Sequence, residues 1–427
     1  MEKNKKRNKL SLKKFTKGWG PGIITGASDD DPSGIATYSQ TGAQFGFGLA
    51  WTALFSLPFI SAIQEMCGRI GLVTGKGLSG IIKKHYNKTI LYTMVSLLLV
   101  ANVVTIGADL GAMAAAIRLI YDIPFVVLLL VITAFTLVME IFVPYAKYAK
   151  FLKYLTLSLL SYVLAAFVIG LDWSEVLSAT LIPYFEFSEK YLLNLVAILG
   201  TTISPYLFFW QSDEEVEEAV AHKKLRFFGR GIPKIDIRDI RDMRRDVFIG
   251  MFFSIAVMFF IIVVAAATLN AQGITNIETA EQAALALRPI AGDSAFLLFT
   301  AGIVGTGLLA IPVLAGSASY AISEALNWKA GLNEKLNKAK GFYGIITLAT
   351  LAGLVINFTP IPAFKMLYYA AVLNGICAPP LIFMILLIAN NEKVMGKRTN
   401  SKVSNILGVT ILILMSAAAI GLLVTLL

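Results

Sequence analysis

Charge is what this sequence has least of. Only 15% of its 427 residues are Asp, Glu, Lys or Arg, against about 25% in an ordinary soluble domain. That excludes a disordered chain and a soluble globular enzyme. Cysteine is nearly absent. Cys67 and Cys377 both sit inside apolar stretches, so neither a disulfide framework nor a thiolate metal cluster is visible. No His-rich metal cluster, Ser/His arrangement or P-loop appears, so neither an enzyme nor a bound cofactor is expected. The N-terminus has no short apolar region leading to a small-residue cleavage site, and no cleavable signal peptide is expected. What is abundant is apolar: 57% hydrophobic residues and a mean hydropathy of +0.72. The net charge of +10 is concentrated in a few loops, so nucleic acid is not implied as a partner.

The apolar residues cluster in stretches near the ~20 residues that cross a bilayer. Eleven spans can be marked, at 19–44, 47–70, 90–118, 124–146, 150–171, 191–212, 247–270, 294–325, 342–357, 362–389 and 405–427. The fold class is an all-α polytopic membrane protein. Basic residues alternate by side. They crowd a basic segment at 1–18 and the even-numbered connections, with Lys147, Lys150 and Lys153 in the fourth and the start of span five, and nine Lys or Arg between Lys223 and Arg245 in the sixth. Odd-numbered connections are short or acid-leaning. Anionic lipid and the membrane potential hold basic loops in the cytoplasm. The expectation is a multi-pass cell-membrane protein in contact with lipid, N-terminus inside, C-terminus outside. Residues 213–246 read as a solvated cytoplasmic helix with ion pairs at helical spacing. Lys150, Lys153 and Tyr154 are placed where they snorkel toward headgroups.

Two spans are interrupted. The first carries Gly26 through Gly34, with Asp29, Asp30 and Asp31 followed by Pro32. A carboxylate in hydrocarbon is expensive unless solvated or paired. Pro32 lacks an amide hydrogen and obstructs the preceding turn. The sixth span has Gly200-Thr201-Thr202-Ile203-Ser204-Pro205-Tyr206 at its middle. Pro205 frees a carbonyl near residue 201 or 202, and Ser204 offers a hydroxyl. Carboxylate and carbonyl oxygens together suit a hard or borderline cation. Each interruption falls at the first helix of a group of five. Residues 19–171 and 191–389 therefore read as two inverted repeats, with 405–427 appended, and matched breaks point to a central ion or substrate site. Two proline kinks facing the bundle are the plainer alternative.

These stretches, together with Arg69-Ile70-Gly71-Leu72-Val73-Thr74-Gly75-Lys76 and Asp109-Leu110-Gly111, resemble the NRAMP superfamily of divalent metal transporters, in order and spacing across spans one to ten. The resemblance implies a LeuT-like fold: two inverted five-helix repeats plus an eleventh helix. It also implies a metal site at Asp31, which matches the family's Asp-Pro-Gly-Asn aspartate, and at a backbone carbonyl near Thr201 or Thr202. Departures bear on selectivity. Gly34 stands where the family has Asn, Ser204 at its metal-binding Met, Tyr206 at its His and Leu207 at its Asn. A thioether is soft and favours transition metals; a hydroxyl gives no such preference. Removing Met and Asn also leaves more room. Magnesium dehydrates reluctantly, so the pattern is most similar to the NRAMP-related magnesium transporter branch, with Mg2+ or Mn2+ as the transported substrate.

Proton-coupled relatives add acids on helix three, the helix-six His and a helix-nine arginine pair. Here Asp109 keeps one acid, Ala112 replaces another, and the ninth span has no internal arginine pair. The expected mechanism is alternating access with weak or no proton coupling. Competing readings are a proton-coupled Mn2+/Fe2+ symporter, a sodium-coupled organic solute transporter with Asp31 binding an amine, and a non-transporting membrane metal sensor or scaffold. Around the site, Asp29, Asp30, Gly34 and Tyr206 are candidates for the permeation path. Asp109 reads equally as a structural partner or a transport residue, and Gln64 and Glu65 equally as pathway or packing groups. Asn374 either meets ion-bound water or makes an interhelical hydrogen bond. His85 and His222 fall in connections, away from the pore. A monomer is expected.

Overall fold

In the computed structural model, residues 20–143 and 157–425 are described, and every regular element among them is a helix. The first span is two half-helices, α1 (Pro21–Asp29) and α2 (Pro32–Phe45). The chain turns by 106° after Leu49 into α3 (Trp51–Thr74). A short α4 (Leu78–His85) leads into α5 (Lys88–Arg118), and α6 (Phe125–Phe142) follows. Next come α7 (Leu160–Val168) and α8 (Trp173–Leu181). The second half opens with a broken span again, α9 (Glu189–Thr202) and α10 (Pro205–Ala221). Then follow α11 (Ile237–Thr268), α12 (Ala295–Leu326), α13 (Lys340–Ile356), α14 (Ala363–Asn390) and α15 (Lys402–Thr425). Among the described residues seven helices are long and apolar enough to cross a membrane, or up to nine with two bent pairs counted as spans. α13 is shorter. The chain is a multi-pass membrane protein.

Several boundaries differ from the sequence reading. The sixth span runs on to Ala221 rather than 212, so Asp213, Glu215 and Glu217, expected in a solvated connection, are buried in α10. The seventh span starts at Ile237 rather than 247, so the charged run 237–246 is the first three turns of α11. Asp236 and Asp239 form its capping box, two orphan donors being satisfied reciprocally. Its ion pairs reach other elements instead of running along its own face: Asp239 to Lys224 at 2.7 Å, and Arg244 to Glu65 at 2.8 Å. The described part of the fifth span ends at Val168, and α8, beyond the expected end at 171, departs from residues 157–168 by 118°. The basic segment 1–18 and Lys147, Lys150, Lys153 and Tyr154 lie outside the described residues.

The Arg69–Lys76 string earns its residues by packing. Buried Arg69 grips Glu65 through Nε and Nη2, and its Nη1 and Nη2 also hold the Arg398 carbonyl and Asn400. α3 thereby clamps the loop before α15. A Cβ on Gly71 would lie 2.0 Å from the Ser212 carbonyl, so only glycine lets α3 and α10 approach this closely. Gly75 takes φ +66° and closes α3 as a left-handed cap, a conformation that glycine adopts without steric cost.

α1 is pressed against α11 in the same way. Added Cβ atoms on Gly22 and Gly26 would lie 2.5 Å from the Val247 amide and 2.3 Å from the Gly250 carbonyl. The Asp246 carboxylate accepts from the Gly20 and Gly22 amides at 3.0 and 2.7 Å. It thus serves the free amides that every helix start leaves.

Candidate metal site

Both breaks are real interruptions, with Pro32 and Pro205 at the first position of the outgoing half-helices α2 and α10. A proline tolerates that position because the amide it lacks would be unsatisfied there anyway. Each proline also leaves the carbonyl four residues earlier without its helical donor. For Pro32 that carbonyl is Ser28, and Tyr206 reaches across from α10 to donate its hydroxyl to it at 2.8 Å. For Pro205 it is Thr201, and the Ser204 hydroxyl donates to it at 2.6 Å and to the Gly200 carbonyl at 2.8 Å. Serine and tyrosine close the two freed carbonyls with their own hydroxyls.

The breaks face each other. Ser33 and Thr201 hydroxyls lie 3.3 Å apart, and those of Tyr38 and Thr202 3.2 Å apart. Asp31 is the N-cap of α2: one carboxylate oxygen accepts from the Gly34 amide at 2.7 Å and the Ser33 hydroxyl at 2.6 Å. Asp109 of α5 is buried, with neither carboxyl oxygen hydrogen-bonded, and the charged group it faces is Asp31. Asp29 and Asp30 are buried on the other side, toward α11, where Ser254 donates to Asp29. The room expected from Gly34 is taken up in this conformation. A Cβ there would touch the Asp29 carbonyl and the Tyr38 ring at 3.3 Å and the Thr201 hydroxyl at 3.4 Å. Among the described residues no three His, Cys, Asp or Glu side chains converge as a ready-made metal centre. The oxygen donors are instead two facing carboxylates, hydroxyls and carbonyls, a set suited to a hard cation.

The remaining residues sort by contact. Asn374 donates to the Thr105 hydroxyl at 3.2 Å, one helical turn from Asp109, and its own carbonyl oxygen has no partner. Gln64 is buried with neither amide atom bonded. Glu65 lies away from the breaks, in the ion-pair cluster with Arg69 and Arg244. His222 pairs with Glu218 at 3.1 Å on the surface. Sequence reasoning missed Tyr38, although it stands one turn beyond Gly34 on the same helix face. It also missed Thr25, which donates to Gln211 at 2.7 Å across α1 and α10, and Met258, whose sulfur accepts from Thr202 at 3.7 Å. Those pairings join distant segments and leave no local signal.

The site is closed on both faces. On one, α1 is sealed by the Asp246 cap and the Thr25–Gln211 bond. On the other, Gln40 holds the Thr275 carbonyl and the Ile277 amide, and Asn194 of α9 holds Gln44 of α2. A cavity of about 520 Å³ lies at the Arg118 end of α5, walled by Glu278, Glu281, Asn357 and Thr359.

Two broken helices whose gaps face each other, within a bundle of membrane-spanning helices, define a LeuT-like membrane fold. The fold neighbours agree. A manganese transporter of Eremococcus coleocola, in complex with an aromatic bis-isothiourea compound, superposes with a TM-score of 0.74 at 16% identity, over 97% of this chain and 87% of that one. Mhp1, a nucleobase-cation-symport-1 family transporter, gives 0.59 at 12%, over 95% and 90%. The sequence is more specific. Residues 22–425 match the family model described as natural resistance-associated macrophage protein-like, and the chain belongs to that family, Nramp. Relatives named divalent metal cation transporter MntH include those of Caldanaerobacter subterraneus, 25% identical over 94% of this chain and 91% of the relative, and Clostridium acetobutylicum, 26% identical over 94% and 88%.

Proposed function

We propose that the chain imports divalent metal ions by alternating access, Mg2+ and Mn2+ in partly hydrated form, with weak or no proton coupling. The observation that carries this is the donor set between the two breaks. Asp31 and Asp109 supply negative oxygens, Thr201 and Ser28 supply freed carbonyls, and the family's methionine position holds a hydroxyl. Hard oxygens accept Mg2+ and Mn2+ without preferring softer ions. The Ser204 and Tyr206 hydroxyls cap those carbonyls here, so an arriving ion takes over bonds already directed at the gap. Thr202 and Gly34 line the same gap. Family membership favours a metal over an organic solute. A relay from Asp31 outward would need titrating groups in sequence, and Tyr206 is a poor substitute for imidazole near neutral pH. The alternation of basic loops supports a cytoplasmic N-terminus and an extracellular C-terminus.

Flux in purified proteoliposomes tests this, with magnesium, manganese, calcium and cadmium compared and an internal pH indicator present. Asp31→Ala should abolish uptake in a protein that remains folded. Ser204→Met should move preference toward cadmium. Undiminished magnesium uptake by Asp31→Ala would overturn the site, and a fixed proton-to-metal ratio would overturn the uncoupled mechanism.

A further inference from the structure

The three adjacent aspartates do not share one environment. Asp31 sits at the start of α2, where helix amides point at it, and it accepts from the Gly34 amide and the Ser33 hydroxyl. Asp29 is the last residue of α1 and Asp30 its C-cap. A helix C-terminus presents carbonyls and the negative end of the helix dipole, so these two carboxylates stand where charge of their own sign already accumulates. Both are buried. One side-chain donor reaches them, the Ser254 hydroxyl of α11, on Asp29 Oδ2, with Asp30 Oδ1 3.5 Å away. Asp29 Oδ1 is fully buried with no partner. The other side chain on this face is Tyr38, whose facing charges are Asp29 and Asp30 ahead of Asp31. Among the described residues, neither Lys nor Arg forms an ion pair with any of the three aspartates. Negative oxygens in the membrane interior, at the end of a helix that opposes them and without a basic partner, lack only a cation.

Resting on the transport reading above, we infer that Asp29 and Asp30, with the Ser254 hydroxyl, form a second position for a hard dication on the α11 face of the break. It is distinct from the Asp31 position and is occupied in alternation with it. An ion leaving Asp31 then passes to a ready set of oxygens without crossing the apolar core unpaired. Simultaneous occupancy is opposed by repulsion between two dications held by neighbouring residues.

The test is equilibrium binding of Mn2+ to the full chain in nanodiscs, followed by calorimetry and by the Mn2+ electron-spin signal. Asp31→Asn should lose uptake yet still bind one Mn2+. Adding Asp29→Asn and Asp30→Asn should remove that ion. Should the triple variant fail to fold, Ser254→Ala in the Asp31→Asn background should weaken it about tenfold. A folded Asp31→Asn chain that binds no Mn2+, while the wild type binds it, overturns the second position and leaves the transport reading intact. An Asp31→Asn chain that still transports at the wild-type rate overturns the transport reading instead. Mn2+ that remains bound after all three aspartates are neutralised also overturns the second position.

Discussion

Removing the Asp246 carboxylate should open the face of the protein at which it lies. Asp246 holds the start of α1 through the Gly20 and Gly22 amides, at 3.0 and 2.7 Å. α1 has nine residues, too few to be helical in water without tertiary support. Losing an N-cap costs about 0.5–2 kcal/mol. A carboxylate near a helix N-terminus contributes about 0.3–1 kcal/mol when exposed and more when partly buried. Asp246→Ala should therefore disfavour the closed arrangement by about 1–2 kcal/mol, raising the fraction with α1 released about 5–30-fold. Asp246→Asn keeps an acceptor and should fall between. The reporter is Ser28→Cys in a chain lacking Cys67 and Cys377. Ser28 is a buried residue of α1 itself, and its hydroxyl donates only within that helix, to the Ile24 carbonyl. An impermeant maleimide added from the Asp246 face should label it faster in the order alanine, asparagine, wild type. Equal rates in all three folded proteins would refute the cap as the restraint on α1.

Four further outcomes are expected. Tyr206→Phe removes one buried hydrogen bond, worth about 0.5–1.5 kcal/mol, and leaves the Ser28 carbonyl open; thermal stability without metal should drop and the stabilisation by added Mg2+ should grow. Gly111→Ala would set a Cβ 2.1 Å from Asn357 Oδ1 and break the bond from Asn357 to the Gly107 carbonyl, costing about 1–3 kcal/mol; Asn357→Ala should rescue part of the loss, visible as non-additive melting temperatures. Met258→Ala removes the sulfur behind Thr202, and cadmium uptake should fall while magnesium uptake holds, because a thioether assists soft ions. Lys365 pairs with Glu278 at 2.9 Å and holds its carboxyl below the ordinary value of 4.5. A depressed carboxyl stabilises above that ordinary value and loses its effect as pH falls through the lowered one. Exchange protection of residues 277–284 should accordingly exceed that of Glu278→Gln at pH 7, with the difference vanishing in acid.

How much was readable beforehand depends on range. Pro32 and Pro205 announced the breaks because a proline's missing amide acts on its own turn, whatever surrounds it. The triplet Asp29–Asp31 announced a polar centre because no apolar span carries three carboxylates without cause. Glu65 shows the opposite case. Its neighbours in sequence left pathway and packing equally open, and its bond to Arg244 of α11, 179 residues away, left no trace in the local sequence. The extra room expected at Gly34 was likewise a local inference. It did not anticipate that Tyr38 and Thr201 would close around the missing side chain.

The sequence by itself determined the membrane class, the two interrupted helices, the family and the chemical kind of ligand. The first two follow from residue type and near-neighbour spacing, which act through solvent transfer and backbone sterics; the family and its ligand follow from the resemblance of the motifs. Tertiary structure decided which aspartate is served by helix amides and which stand at a helix's negative end. It also decided which hydroxyls cap the freed carbonyls and which contacts shut the two faces. Those outcomes depend on where α5, α10 and α11 lie against the first span, and contacts between segments hundreds of residues apart are fixed only when the whole bundle packs.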